Sequence, residues 1–136
     1  MRSISSPLVR WITAGVVTLA LAACSDAATS PGREPQIVNV TDNFQYQISD
    51  IRAFSGNQVY SWQNSGTTAK VNQSAAITSG AVSLVLRDAN GTQVYARSLG
   101  DNGTFVSSAG VAGTWTVLVS YATANATVNF RVDKAP

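Results

Sequence analysis

Val82-Ser83-Leu84-Val85-Leu86-Arg87, the turn Asp88-Ala89-Asn90-Gly91-Thr92, and then Gln93-Val94-Tyr95-Ala96-Arg97 together decide the fold class. Successive side chains on a strand point to opposite faces, so Val82, Leu84 and Leu86 form an apolar face against Ser83, Val85 and Arg87. On the second strand Val94 and Ala96 read as inward, leaving Gln93, Tyr95 and Arg97 outward. A two-residue Asn90-Gly91 loop would pair Leu86 with Tyr95 and mix the two faces across the ladder. A three-residue loop of Ala89, Asn90 and Gly91 instead pairs Leu86 with Val94 and Arg87 with Gln93, with Gly91 as the left-handed residue of a bulge. That hairpin is the expectation.

The same alternation recurs outward from this hairpin. Phe44, Tyr46 and Ile48 alternate with Gln45, Gln47 and Ser49, and Tyr60 and Trp62 alternate with Val59 and Ser61. Trp115, Val117, Val119 and Tyr121 share a face of a late strand, and Val128, Phe130 and Val132 share a face of the last. Pairing Tyr121 with Val128 makes these two a hairpin around Ala124-Asn125. Thr68 to Asn72 and Thr104 to Ser107 add weaker strands. Short alternating runs separated by Gly, Asn, Asp and Ser predict an all-β, antiparallel two-sheet sandwich, jelly-roll-like, of about seven to nine strands. No helix is expected after the N-terminal signal.

The first residues have a different character. Arg2 and Arg10 form a positive stretch, and the apolar run from Trp11 to Leu21 is too short for a permanent bilayer span. The run closes on Leu21-Ala22-Ala23-Cys24, which resembles the lipobox of bacterial lipoproteins. The resemblance implies a signal peptide over residues 1–23 and lipid modification of Cys24. It also implies a membrane anchor, and Ser25 after the cysteine favours the outer membrane of a diderm envelope. Residues 24–35, with two prolines, a glycine and no apolar periodicity, read as a tether, leaving 36–136 as the sandwich domain.

Charge and composition remove several function classes. The precursor carries nine basic and seven acidic residues, but Arg2 and Arg10 leave with the signal, so the mature protein is close to neutral. No basic patch is present for nucleic acid. There is no histidine, which removes imidazole as base or metal ligand, and the one cysteine excludes a disulfide framework. Asp42, Asp50, Asp88, Asp101 and Asp133 are the acids of the folded domain. Most are expected at turns, where an aspartate satisfies local backbone donors. No catalytic residue and no cofactor is assigned. Trp62 and Trp115 share faces with other bulky residues and read as core.

Ser83 to Gly91 (S-L-V-L-R-D-A-N-G), Ala112 to Val119 (A-G-T-W-T-V-L-V) and Asn129 to Val132 (N-F-R-V) resemble the bacterial pre-peptidase C-terminal domain and the wider P-domain-like jelly rolls. The resemblance implies a non-catalytic module that accompanies secreted hydrolases and, in some members, binds matrix polymers with calcium nearby. Asp88 and Asp101 are the calcium candidates, although hairpin turns already explain Asp88-Ala89-Asn90-Gly91 and Asp101-Asn102-Gly103. Tyr95, on the expected solvent face with Arg87 and Arg97, is the candidate ligand face. The expected function is a lipid-anchored envelope sandwich that binds or supports an envelope protein or polysaccharide. The alternative is an accessory polysaccharide- or peptide-binding module serving a secreted hydrolase.

Overall fold

The structure is a computed structural model that describes residues 34–136. The expected signal peptide, Cys24 and most of the expected tether lie outside the described residues. Seven strands and no helix are found there: β1 (Gln36–Val40), β2 (Asn43–Asn64), β3 (Ala69–Gln73), β4 (Ala76–Arg87), β5 (Gln93–Ser98), β6 (Gly103–Val106) and β7 (Gly113–Lys134). All pairings are antiparallel. The described residues are all-β, as their alternation predicts.

Two 22-residue strands, β2 and β7, run beside each other along their whole length and bend together. The first half of β2 and the second half of β7 belong to one layer, ordered β1-β2-β7-β3-β6. Their other halves form the second layer with β4 and then β5. The layers face each other across aromatic rings. Phe44 and Tyr46, from the first half of β2, lie 5.5 and 6.0 Å from Tyr60 in its second half. Phe130 stacks on Tyr46 at 5.1 Å, and Trp62 meets Trp115 edge-on at 5.9 Å. Both tryptophans are core, as expected, and each indole N–H donates to a backbone carbonyl, Trp62 to Val40 and Trp115 to Val111. Such rings each bury roughly 150–250 Å², so they dominate the interior.

The expected hairpin around Ala124-Asn125 is absent, because Tyr121 and Val128 lie on one strand. The inward set runs Trp115, Val117, Val119, Tyr121, then skips to Ala124, Ala126, Val128, Phe130 and Val132. One extra residue at the corner changes the parity of the strand. Thr123 absorbs it at φ +43°, and Asp50 and Ala53 do the same on β2 at +55° and +47°. For the same reason the two runs at Phe44–Ser49 and Val59–Trp62 are one bent strand, with register shifts between Ile48 and Gly56. Side chains hold the corner: Asn125 Oδ1 accepts from Ala53 N at 2.5 Å, and Ser55 Oγ accepts from Thr123 N at 2.7 Å.

The β4–β5 hairpin keeps one expected pair and changes the other. Arg87 pairs with Gln93, and Gly91 is left-handed at φ +84°. Leu86, however, pairs with Tyr95, because the register shifts between Leu86 and Arg87 and leaves Val94 as the extra residue. From that bulge onward the faces of β5 are exchanged: Tyr95 turns inward and Ala96 outward. The two weaker strands fall within one residue of expectation, at Ala69–Gln73 and Gly103–Val106.

Candidate binding face

The aromatic expected on the solvent face is in the interior. Tyr95 is 7 % exposed, and its hydroxyl donates to Gln73 Oε1 at 2.8 Å. Burial pushes its pKa up to about 12, against a smaller downward pull from Arg97. Arg97 does not flank it as a free ligand group. Its guanidinium lies 3.8 Å from the Phe105 ring centroid and 3.6 Å from Asp101. Arg87 pairs outward with Gln93, on the other side of the layer from Tyr95. The expected ligand face of Tyr95, Arg87 and Arg97 is therefore not one surface, because the Val94 bulge divides it.

Asp88 serves the turn. Its Oδ1 accepts from the backbone N–H of Asn90 and Thr92, and its Oδ2 from that of Val111 at 2.9 Å. Burial raises the carboxyl pKa, but the N–H groups of Thr92, Val111 and Asn90 outweigh it and hold the pKa below the usual range. Calcium at Asp88 would have to displace those three donors. Asp101 sits on a separate exposed turn against Arg97. The other acids are similarly engaged. Asp42 accepts from Ser65 N and Oγ and faces Lys134, while Asp133 accepts from Arg131 and Asn43. No group of three or more His, Cys, Asp or Glu comes together among the described residues.

The outer face of the first layer carries the feature that alternation alone does not reveal. Pairing registers align Gln36, Gln47 and Asn129 in one row across β1, β2 and β7. The next row is Val38, Gln45, Arg131, Asn72 and Thr104, crossing all five strands. The third is Val40, Asn43, Asp133, Lys70 and Val106. Along the first two rows lie three adjoining shallow concavities of about 300, 160 and 270 Å³. They share Gln36, Gln47, Gln45 and Asn129 in their walls.

The amides of Gln36, Gln47 and Asn129 make no hydrogen bond to another described residue, whereas Asn72 donates to Thr104 and Gln45 to Asn43. Arg131 Nε meets Asp133 at 2.9 Å. Such a surface can exchange neutral hydrogen bonds with a ligand.

Comparison with known proteins finds no matching family model and no matching curated protein. The site is accordingly argued from its own residues.

A fourth concavity, of about 240 Å³, lies apart from these at the corner between Asp50, Arg52, Thr78, Asn125 and Thr127. Its two threonine side chains are engaged in the bend: Thr127 Oγ1 accepts from Asp50 N, and Thr78 Oγ1 donates to the carbonyl of Asn125. That engagement favours the amide face. Outward Gln45 and Gln47 were legible from their alternation with Phe44, Tyr46 and Ile48. Their convergence with Asn129, Arg131 and Asn72 depends on the non-local order of the layer.

Proposed function

We propose that this chain is a lipid-anchored cell-envelope protein whose β-sandwich binds, and does not chemically transform, a component of the envelope. The anchor rests on Leu21-Ala22-Ala23-Cys24 closing the apolar run from Trp11 to Leu21 behind Arg2 and Arg10. Two or three acyl chains on Cys24 would hold the protein on a membrane, since each buried methylene contributes about 0.8 kcal/mol. Ser25 directs the protein to the outer membrane of a diderm cell.

The observation that carries the binding reading is the amide face. Asparagine is depleted in strands because its short side chain competes for the backbone, yet Asn72 and Asn129 stand mid-strand on one face with Gln36, Gln45 and Gln47. Exposed amides that make no hydrogen bond to another described residue, set at adjoining concavities, fit a surface that exchanges its hydrogen bonds to water for hydrogen bonds to a ligand.

A second reading is an accessory module that brings polysaccharide or peptide to a secreted hydrolase. It is favoured by the likeness of Ser83–Gly91 and Ala112–Val119 to pre-peptidase C-terminal domains. One experiment addresses both. The acylated protein is captured from envelope membranes, and co-purifying proteins and glycans are identified by mass spectrometry, with Cys24→Ser as the anchor control. A reproducible partner, with release of Cys24→Ser from the membrane fraction, is expected. Recovery of the lipoprotein alone overturns the binding reading, and unchanged membrane association of Cys24→Ser overturns the anchor.

A further inference from the structure

The charges on the amide face balance. Glu34 and Asp133 stand against Lys70 and Arg131, and Arg131 is paired with Asp133. A polyanion or polycation therefore finds no field to follow across it. What the face offers in quantity is carboxamide, which presents an acceptor oxygen and a donor NH₂ side by side. That combination matches neighbouring hydroxyls on a polyol, each of which both gives and takes a hydrogen bond.

The geometry adds a direction. Neighbouring strands lie about 4.8 Å apart, so a molecule crossing them meets a new side chain of the same row at that interval. An extended chain of pyranose rings repeats on a comparable length, and one ring would sit over each of Val38, Gln45, Arg131, Asn72 and Thr104. Val38 and the aliphatic stem of Arg131 supply apolar surface for ring C–H groups. An extended peptide would be expected instead at a sheet edge, where backbone groups are unpaired, not across a face that shows side chains only.

We propose that the outer face of the β1-β2-β7-β3-β6 layer holds an extended, uncharged glycan chain lying across the strands. Gln47 and Asn129 grip its hydroxyls from the flanking row. This rests on the binding reading above and names the ligand class for that same site.

The test uses the full chain, purified from membranes in detergent, with cellohexaose, chitohexaose and maltohexaose as neutral probes. Hexagalacturonate and an uncharged Gly-Ser-Thr peptide are the contrasting probes. Binding is measured calorimetrically for the parent, for the double variant Gln47→Ala/Asn129→Ala, and for Ser61→Ala/Thr116→Ala on the opposite layer. At least one neutral hexasaccharide is expected to bind, with affinity about tenfold lower in Gln47→Ala/Asn129→Ala and unchanged in the opposite-layer control. All these positions are on outward rows, and an unchanged thermal midpoint verifies that folding is intact.

Binding that survives Gln47→Ala/Asn129→Ala, preference for the peptide or the galacturonate, or no binding of any hexasaccharide overturns the proposal. If the hexasaccharides fail while envelope capture still returns a partner, the glycan is lost and the binding reading stands. If capture also returns nothing, both fall.

Discussion

The two outer faces of the sandwich are built from the same two strands and differ in chemistry. On the first layer, β2 and β7 present Gln45, Gln47, Asn129 and Arg131. On the second, past the corner, they present Val59, Ser61, Thr116 and Leu118. There the register aligns Val59, Leu118, Val85 and Ala96 in an apolar row across β2, β7, β4 and β5. Polar residues flank this row: Ser61, Thr116, Arg87 and Gln93 on one side, and Asn57, Ser120, Ser83 and Ser98 on the other.

Inward positions are constrained by packing. Outward ones are constrained only by solubility and whatever the protein touches. Aliphatic residues and threonine suit a strand for its own sake, so the apolar row of the second face is explained by strand preference. Asparagine stands on both faces, at Asn129 and at Asn57, so the contrast within one pair of strands is between Gln45, Gln47 and Arg131 on the first face and Val59 and Leu118 on the second.

The contrast assumes that both faces ride on one cooperative core, and truncating an aromatic behind each tests this with the largest effect. Phe130 lies under the amide face between Phe44 and Tyr46, and Trp115 lies under the other beside Trp62. Phe130→Ala and Trp115→Ala are each expected to cost about 3–5 kcal/mol. Each should lower a single thermal transition followed by circular dichroism. Two separate transitions in either variant would show that the faces belong to units that unfold independently.

The corner that divides the faces is the next point of attack. Gly80 is left-handed at φ +74°, and a Cβ there would stand 2.1 Å from the Thr123 carbonyl oxygen. Gly91 is also left-handed, yet a Cβ there meets nothing within 4 Å. Gly91→Ala should therefore cost only the conformational penalty of about 1–2 kcal/mol. Gly80→Ala should exceed it, because the strand pair must move as well. Equal losses in chemical denaturation would mean that the corner yields freely and does not fix the two faces relative to each other.

That corner also marks where sequence reading stopped. The inward sets Phe44-Tyr46-Ile48, Val82-Leu84-Leu86 and Trp115-Val117-Val119 are legible because each is a run of period two. The continuity of β2 and β7 is not, because the extra residues sit at Asp50, Ala53 and Thr123. Alanine and threonine carry no sign of a left-handed backbone. Tyr95 was misplaced for a related reason: the bulge at Val94 has no glycine to announce it, and one added residue exchanges the two faces. Of the amide face, Gln45 and Gln47 could be seen as outward. Pairing them with Asn129 and Arg131 joins positions more than 80 residues apart, which no local pattern encodes.

Alkaline titration gives a smaller effect common to both layers. Burial pushes the pKa of Tyr95 and of Tyr121 up to about 12 and raises that of Tyr46 further, with Tyr121 hydrogen-bonded to Tyr46. Because the folded pKa values lie above the unfolded value of about 10, the neutral phenols stabilise the fold fully below pH 10. This stability is lost as pH rises through about 12. The thermal midpoint should begin to fall only above pH 10, in step with the tyrosinate absorbance. A midpoint that declines below pH 9 would mean that these hydroxyls are not held in the interior.

The smallest expected effect is on the apolar row, and it decides whether the two faces are ranked correctly. Val59 is 62 % exposed, so Val59→Ser removes little buried surface. Stability should change by no more than about 0.5 kcal/mol. The row is one residue deep and bordered by polar side chains, and single exposed apolar residues do not by themselves mark an interaction site. Envelope capture by Val59→Ser should therefore match that of the parent, while Gln47→Ala/Asn129→Ala loses its partner. The reverse result, capture lost with Val59→Ser and retained without the amides, would move the binding surface to the second layer. The mid-strand asparagines would then be no more than a tolerated departure from strand preference.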